Sequence, residues 1–159
     1  MKTTWLSFFI FWAIAVVAHA QSPPKDSPCP ELYQQSVGKL NPDFTYAKTF
    51  SMVRKNGETA VVALVMSEGS TYDVRFSIKG GDKAIAKGTV SIKLLDNGNE
   101  IANSVTDKRY RDGFEVKCKR TGMYYFAIEI HPACKPTDFT CGYISVGFKR
   151  KNPITENTK

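Results

Sequence analysis

Few side chains in this sequence could do chemistry, and their spacing says what kind. Past residue 20 there is a single histidine, His131, in the run Ile130-His131-Pro132-Ala133-Cys134. A Ser-His-Asp or Cys-His device would have to use it, yet its context reads as a loop following a strand. His131, Cys134 and Cys141 are ligand types that zinc accepts. Their H-x2-C-x6-C spacing matches no zinc module, and exported thiols are oxidised more often than metallated. Asp73, Glu115 and Glu129 could supply the carboxylate pair of a glycoside hydrolase. Each alternates with apolar residues on a strand pattern, so each is expected to face solvent. Gly80-Gly81-Asp82 and Asp96-Asn97-Gly98-Asn99 lack the repeated acidic positions of a calcium loop and read as turns. There is no P-loop, G-x-S-x-G or H-E-x-x-H motif. The expectation is therefore no catalytic residue, no metal and no cofactor. What remains are binding candidates: Tyr125, Tyr143 and Lys149 on strands, and Arg109 and Tyr110 in the basic run Lys108-Arg109-Tyr110-Arg111.

The compartment comes from the N-terminus. Lys2 precedes a nearly unbroken apolar run, Trp5 to Ala18, and Ala18-His19-Ala20 places small residues at −3 and −1. These are the parts of a secretory signal peptide over residues 1–20. The run is shorter than the roughly 20 residues that span a bilayer, and no second apolar run follows. The chain carries 22 Lys/Arg against 15 Asp/Glu, a formal charge of +7, but the basic residues form no long block. They read as solvated faces rather than a nucleic-acid surface.

Stepping along the chain, residues 21–43 read as a Pro-rich spacer (Pro23, Pro24, Pro28, Pro30) followed by a short helix over 31–40. From Phe44 the pattern is strand after strand. Thr59 to Met66, TAVVALVM, is a continuous apolar run suited to a central strand buried on both faces. Tyr72, Val74, Phe76 and Ile78 alternate with polar residues, as do Val90, Ile92 and Leu94. Asp96-Asn97-Gly98-Asn99 is a hairpin turn. Tyr124, Phe126, Ile128 and Ile130 form the longest apolar row, and Ile144, Val146 and Phe148 close the domain. Eight evenly spaced strands without a long helix predict an all-β fold, an antiparallel β-sandwich of jelly-roll type over residues 44–150. Residues 151–159 read as a disordered polar tail.

Pairing the last two strands as a hairpin sets Ile128 opposite Ile144, Phe126 opposite Val146 and Tyr125 opposite Gly147. The Ile128–Ile144 and Phe126–Val146 pairs then share the core face, while Tyr125 opposite Gly147 lies on the other face. Four cysteines, Cys29, Cys118, Cys134 and Cys141, allow three pairings, and sequence alone does not choose among them. Under this register Cys118 and Cys141 lie about 23 Å apart at about 3.3 Å per residue, beyond the roughly 7 Å limit of a disulfide. The register therefore favours Cys134–Cys141 with Cys29–Cys118.

The segments VSIKLLDNGNEIANS, FEVKCKRTGMYYFAIEI and YISVGFK resemble the ends of bacterial pre-peptidase C-terminal domains, with a cadence similar to Golgi-dynamics (GOLD) domains. The likeness runs from about Thr59 to Arg150 and rests on turn and core residues, so it implies a jelly-roll-like sandwich. The calcium-ligand carboxylates of some pre-peptidase domains have no match here. The resemblance implies a free-standing exported protein of Bacteroidetes type. The expected function is non-catalytic binding of a partner protein or a glycan in the periplasm or at the cell surface. The alternatives are a small hydrolase using loop carboxylates and a structural role in envelope assembly. Oligomeric state is left open.

Overall fold

The computed structural model describes residues 29–55, 58–79, 90–106, 109–130 and 139–150. The expected signal peptide, the prolines before Cys29, the Gly80-Gly81-Asp82 turn, His131, Cys134 and the tail lie outside the described residues.

Alternating apolar side chains build two antiparallel four-stranded sheets packed face to face. The first has the order β1 (Thr45–Lys55), β10 (Phe139–Lys149), β3 (Thr71–Ile78), β8 (Gly113–Lys117). The second has the order β2 (Thr59–Met66), β9 (Gly122–Ile130), β4 (Val90–Asp96), β5 (Asn99–Asn103). A small ribbon of β6 (Val105–Thr106) and β7 (Arg109–Tyr110) joins the β5 and β8 ends. The pairs β1–β10, β2–β9 and β3–β8 are nested in sequence, the long-range pairing of a jelly roll. Val74, Phe76, Ile144 and Val146 point in from the first sheet; Ile92, Leu94, Phe126 and Ile128 meet them from the second, all buried. The Phe50 and Phe126 rings meet across the core at 6.1 Å. Asp96-Asn97-Gly98-Asn99 forms the expected hairpin turn, with Asn97 and Gly98 at φ 50° and 81°, conformations open to those residues.

Three expectations are corrected. β9 and β10 do not pair: β9 lies between β2 and β4, and β10 between β1 and β3. The apolar alternation was read correctly for facing, but alternation names a face and not a neighbour. The run TAVVALVM is an edge strand, paired on one side only with β9, and its alternate residues lie on an open face. The disulfide joins Cys29 to Cys141, with Cα atoms 6.4 Å apart. This overturns both Cys134–Cys141 and Cys29–Cys118. Cys118 is a buried free thiol whose Sγ donates to the Arg120 carbonyl at 3.1 Å.

The reason for the disulfide is the helix α1 (Pro30–Gly38). Pro30 and Glu31 sit in its first turn, where a missing N–H and an acidic charge suit the helix dipole. Leu32, Tyr33 and Ser36 turn toward the outer face of the first sheet, and Tyr33 packs edge-on against Tyr143 at 5.5 Å. This lays Cys29 on the start of β10. The short helix expected over 31–40 is present as Pro30–Gly38, and it packs on the sheet outside the 44–150 bounds expected for the sandwich.

Candidate functional site

The two outer faces of the sandwich have opposite characters. That of the first sheet is roofed by α1 and the segment after it. Beneath the roof lies a chain of hydroxyls. Ser36 Oγ donates to the Tyr33 carbonyl at 2.9 Å, so Ser145 donates to Ser36 (2.8 Å), Thr49 to Ser145 (2.8 Å) and Tyr46 to Thr49 (3.1 Å). The Tyr33 hydroxyl bonds to Tyr46, and burial first, then that bond, pushes its pKa up to about 12. Asp73 is fully buried here: its Oδ2 accepts from the Asn41 backbone N–H at 2.8 Å, and its Oδ1 lies 2.7 Å from Arg75 Nε. The solvent-facing placement expected for Asp73 is thereby overturned. Lys39 Nζ ties the segment down further, donating to the Phe76 carbonyl at 2.9 Å.

The outer face of the second sheet carries no such roof among the described residues. Val61, Val65, Met123 and Tyr125 are 58%, 63%, 49% and 37% exposed. The register makes them neighbours: Val65 pairs with Met123, Ala63 with Tyr125, Val61 with Ala127, and on the other side Leu95 with Tyr125. Small Ala63 stands opposite Tyr125, and Ala127 lies on the same face of β9 two residues along. Toward β4 and β5 the face turns polar and self-neutralised. Lys93 Nζ lies 3.0 Å from Glu129 and 4.0 Å from Glu100, and Ser91 Oγ donates to Glu129 at 3.2 Å. An apolar centre with a polar rim is the anatomy of a protein-binding patch.

The binding candidates read from the sequence scatter over this framework. Tyr125 lies in the open face. Tyr143 belongs to the other sheet, is 1% exposed and lies under α1, so the two tyrosines do not share a surface. Lys149 ends β10, 3.7 Å from Asp43. Arg109 and Tyr110 form β7, where Tyr110 leans on the core. Glu115 and Glu129 are on different sheets and do not form a catalytic pair. Val61, Val65 and Met123 were missed because valines in an apolar run look like core. The signal that could have found them is the small, uncharged alternation Val61-Ala63-Val65 against Met123-Tyr125 on the outward side.

At the far end of the sandwich a cleft of about 250 Å³ opens between β5 and β8, lined by Asp96, Ile101, Val116, Lys117, Lys119 and Tyr124. Asp96 is paired with Arg120 there, and Tyr124 donates to the Arg120 carbonyl at 2.9 Å. Burial, followed by its hydrogen bond with Cys118, pushes the Tyr124 pKa up to about 12.

No family model matches the sequence, and no curated protein does. No helix among the described residues is long and apolar enough to cross a membrane. Among solved structures the chain is similar to PliG of Aeromonas hydrophila, a periplasmic inhibitor of g-type lysozyme, at 12% identity and TM-score 0.49, over 70% of this chain and 92% of that one. It is also similar to PliG of Salmonella Typhimurium, at 10% identity and TM-score 0.42, over 64% of this chain and 89% of that one. A mutant PliG of Escherichia coli resembles it at 9% identity and TM-score 0.41, over 70% and 94%.

Proposed function

We propose that this chain is an exported, non-catalytic binding protein that takes a partner protein on the outer face of its second sheet. The observation that carries this reading is the asymmetry between the two faces. One is roofed by a disulfide-anchored helix, while the other leaves Val61, Val65, Met123 and Tyr125 open. A protein partner fits better than a glycan. Sugar stacking wants aromatic platforms, and with Tyr143 buried, Tyr125 is the only aromatic residue on this face among the described residues. The signal-peptide pattern and the Cys29–Cys141 bridge support an oxidising compartment. The pre-peptidase and GOLD resemblance bears on architecture alone.

The test compares wild-type protein with the variant Val65→Lys, Met123→Lys, Tyr125→Ser as baits for envelope extract, with circular dichroism to confirm the fold. The reading expects a discrete partner whose recovery falls at least about tenfold, the scale of losing one central anchor. Equal recovery by both baits overturns it. A g-type lysozyme is one defined probe, because PliG proteins inhibit it, although no feature of this face points to it.

A further inference from the structure

The four strands at the sheet edges are not alike. β1 carries a register irregularity between Tyr46 and Lys48 and an exposed lysine at that point. β5 has five residues, an irregularity opposite Leu94/Leu95, and Asn99 and Glu100 at its start. β8 also has five residues, with Glu115 and Lys117 exposed. Bulges, short length and charge are the devices that stop an edge from pairing with another chain. β2 has none of them. It runs eight residues, pairs with β9 without a break, and holds no charge and no proline. Its core-facing Val62 and Leu64 are only half-buried, and among the described residues no strand lies beyond β2. Leu64 and Val65 line a groove of about 180 Å³ with Ala47, Tyr72 and Phe148.

The sequence of β2 also names what could pair there. About Ala63 it is a near-palindrome: Val62 mirrors Leu64, Val61 mirrors Val65, and Ala60 mirrors Met66. A two-fold interface requires such self-complementarity, since every contact occurs twice with the roles exchanged. We propose that a second copy of this chain pairs antiparallel with β2 about Ala63, joining the second sheets into one eight-stranded sheet. Val61 of each copy then stands opposite Val65 of the other on the outer face, while Val62 and Leu64 of the two copies cover one another over the core. One feature opposes it. Glu58 and Glu68, exposed at the two strand ends, come opposite each other, and both copies are basic. The dimer should therefore tighten as salt rises.

The edge shares Val61 and Val65 with the partner face, so the cysteine readout at Ala63, which the partner test does not touch, separates this proposal from the reading above. The test uses the mature chain in two readouts. In the first, Ala63→Cys should give a disulfide-linked dimer under mild oxidation. The two-fold axis sets the two positions directly opposite, about 4.5–5.5 Å apart. Val61→Cys should not, because the matching positions sit about 13 Å apart along the strand. In the second, sedimentation equilibrium should show wild type as a dimer. Val61→Lys with Val65→Lys should weaken it at least about tenfold, while Val61→Glu with Val65→Lys retains it by placing opposite charges in register. A wild type that stays monomeric at millimolar concentration, or covalent dimer formed equally by both cysteine variants, overturns the proposal. So does equal behaviour of the two charge variants with the fold intact.

Discussion

At the scale of single residues, neighbours along β9 do opposite jobs. Phe126 is fully buried and meets Phe50, whereas Tyr125 projects from the other side of the same strand. Phe126→Ala should cost about 3–5 kcal/mol, since it removes transfer energy and leaves a cavity. Tyr125→Ala should cost less than about 1 kcal/mol. Urea melts of the two variants give the comparison, and equal losses would mean the facing is wrong. The buried tyrosines give a second outcome at this scale. Tyr33 and Tyr124 hold their protons up to about 12 in the folded protein, against an ordinary value of 10.0. Between those values the unfolded chain binds fewer protons than the folded one, so stability falls as pH rises. The contribution of both phenols is complete below about pH 10 and lost through about pH 12. Denaturant midpoints across that window should fall for wild type, and less for Tyr33→Phe. A flat profile would contradict the hydrogen-bonded, buried environment of both hydroxyls.

At the scale of elements, the helix roof depends on one covalent tie. The Cys29–Cys141 bridge spans 112 residues of sequence, and closing so long a loop is worth about 4–5 kcal/mol in the chain-entropy account. Cys29→Ser with Cys141→Ser should lower stability by up to that amount and raise hydrogen exchange in 30–38 before the sheets. Non-reducing peptide mapping should find Cys29 joined to Cys141, with Cys118 alkylated only after unfolding. This is also where the legibility of the sequence ended. Strand positions, inward rows and the Asn97-Gly98 turn could be read because alternation and turn chemistry are local. Strand partners could not, since Phe126 fits opposite Val62 and Leu94 as well as it would opposite Val146. The cysteine pairing failed with the partners: an assumed hairpin kept Cys141 near Cys134, while the expected helix, packing on the sheet, carried Cys29 out of its spacer and onto β10. Asp73 and Tyr143 failed for the same reason, because alternation predicts the side of a sheet but not what a distant helix later covers.

At the scale of the whole molecule, the one helix among the described residues covers one face of the sandwich, while the centre of the other face is open and apolar. The candidate site was legible only in Tyr125. Its companions Val61, Val65 and Met123 became visible once β2 was placed at an edge and β9 beside it. The central claim is that this open face meets another protein. The most direct measurement is site-specific photo-crosslinking in the cells that make the protein, with a benzophenone amino acid at position 125 and, as a control, at exposed position 115 on the other sheet. The account predicts a discrete heterologous adduct from position 125 and none of the same mass from position 115. No adduct from 125, an adduct only to a second copy of the chain, or the same adduct from both positions would contradict it.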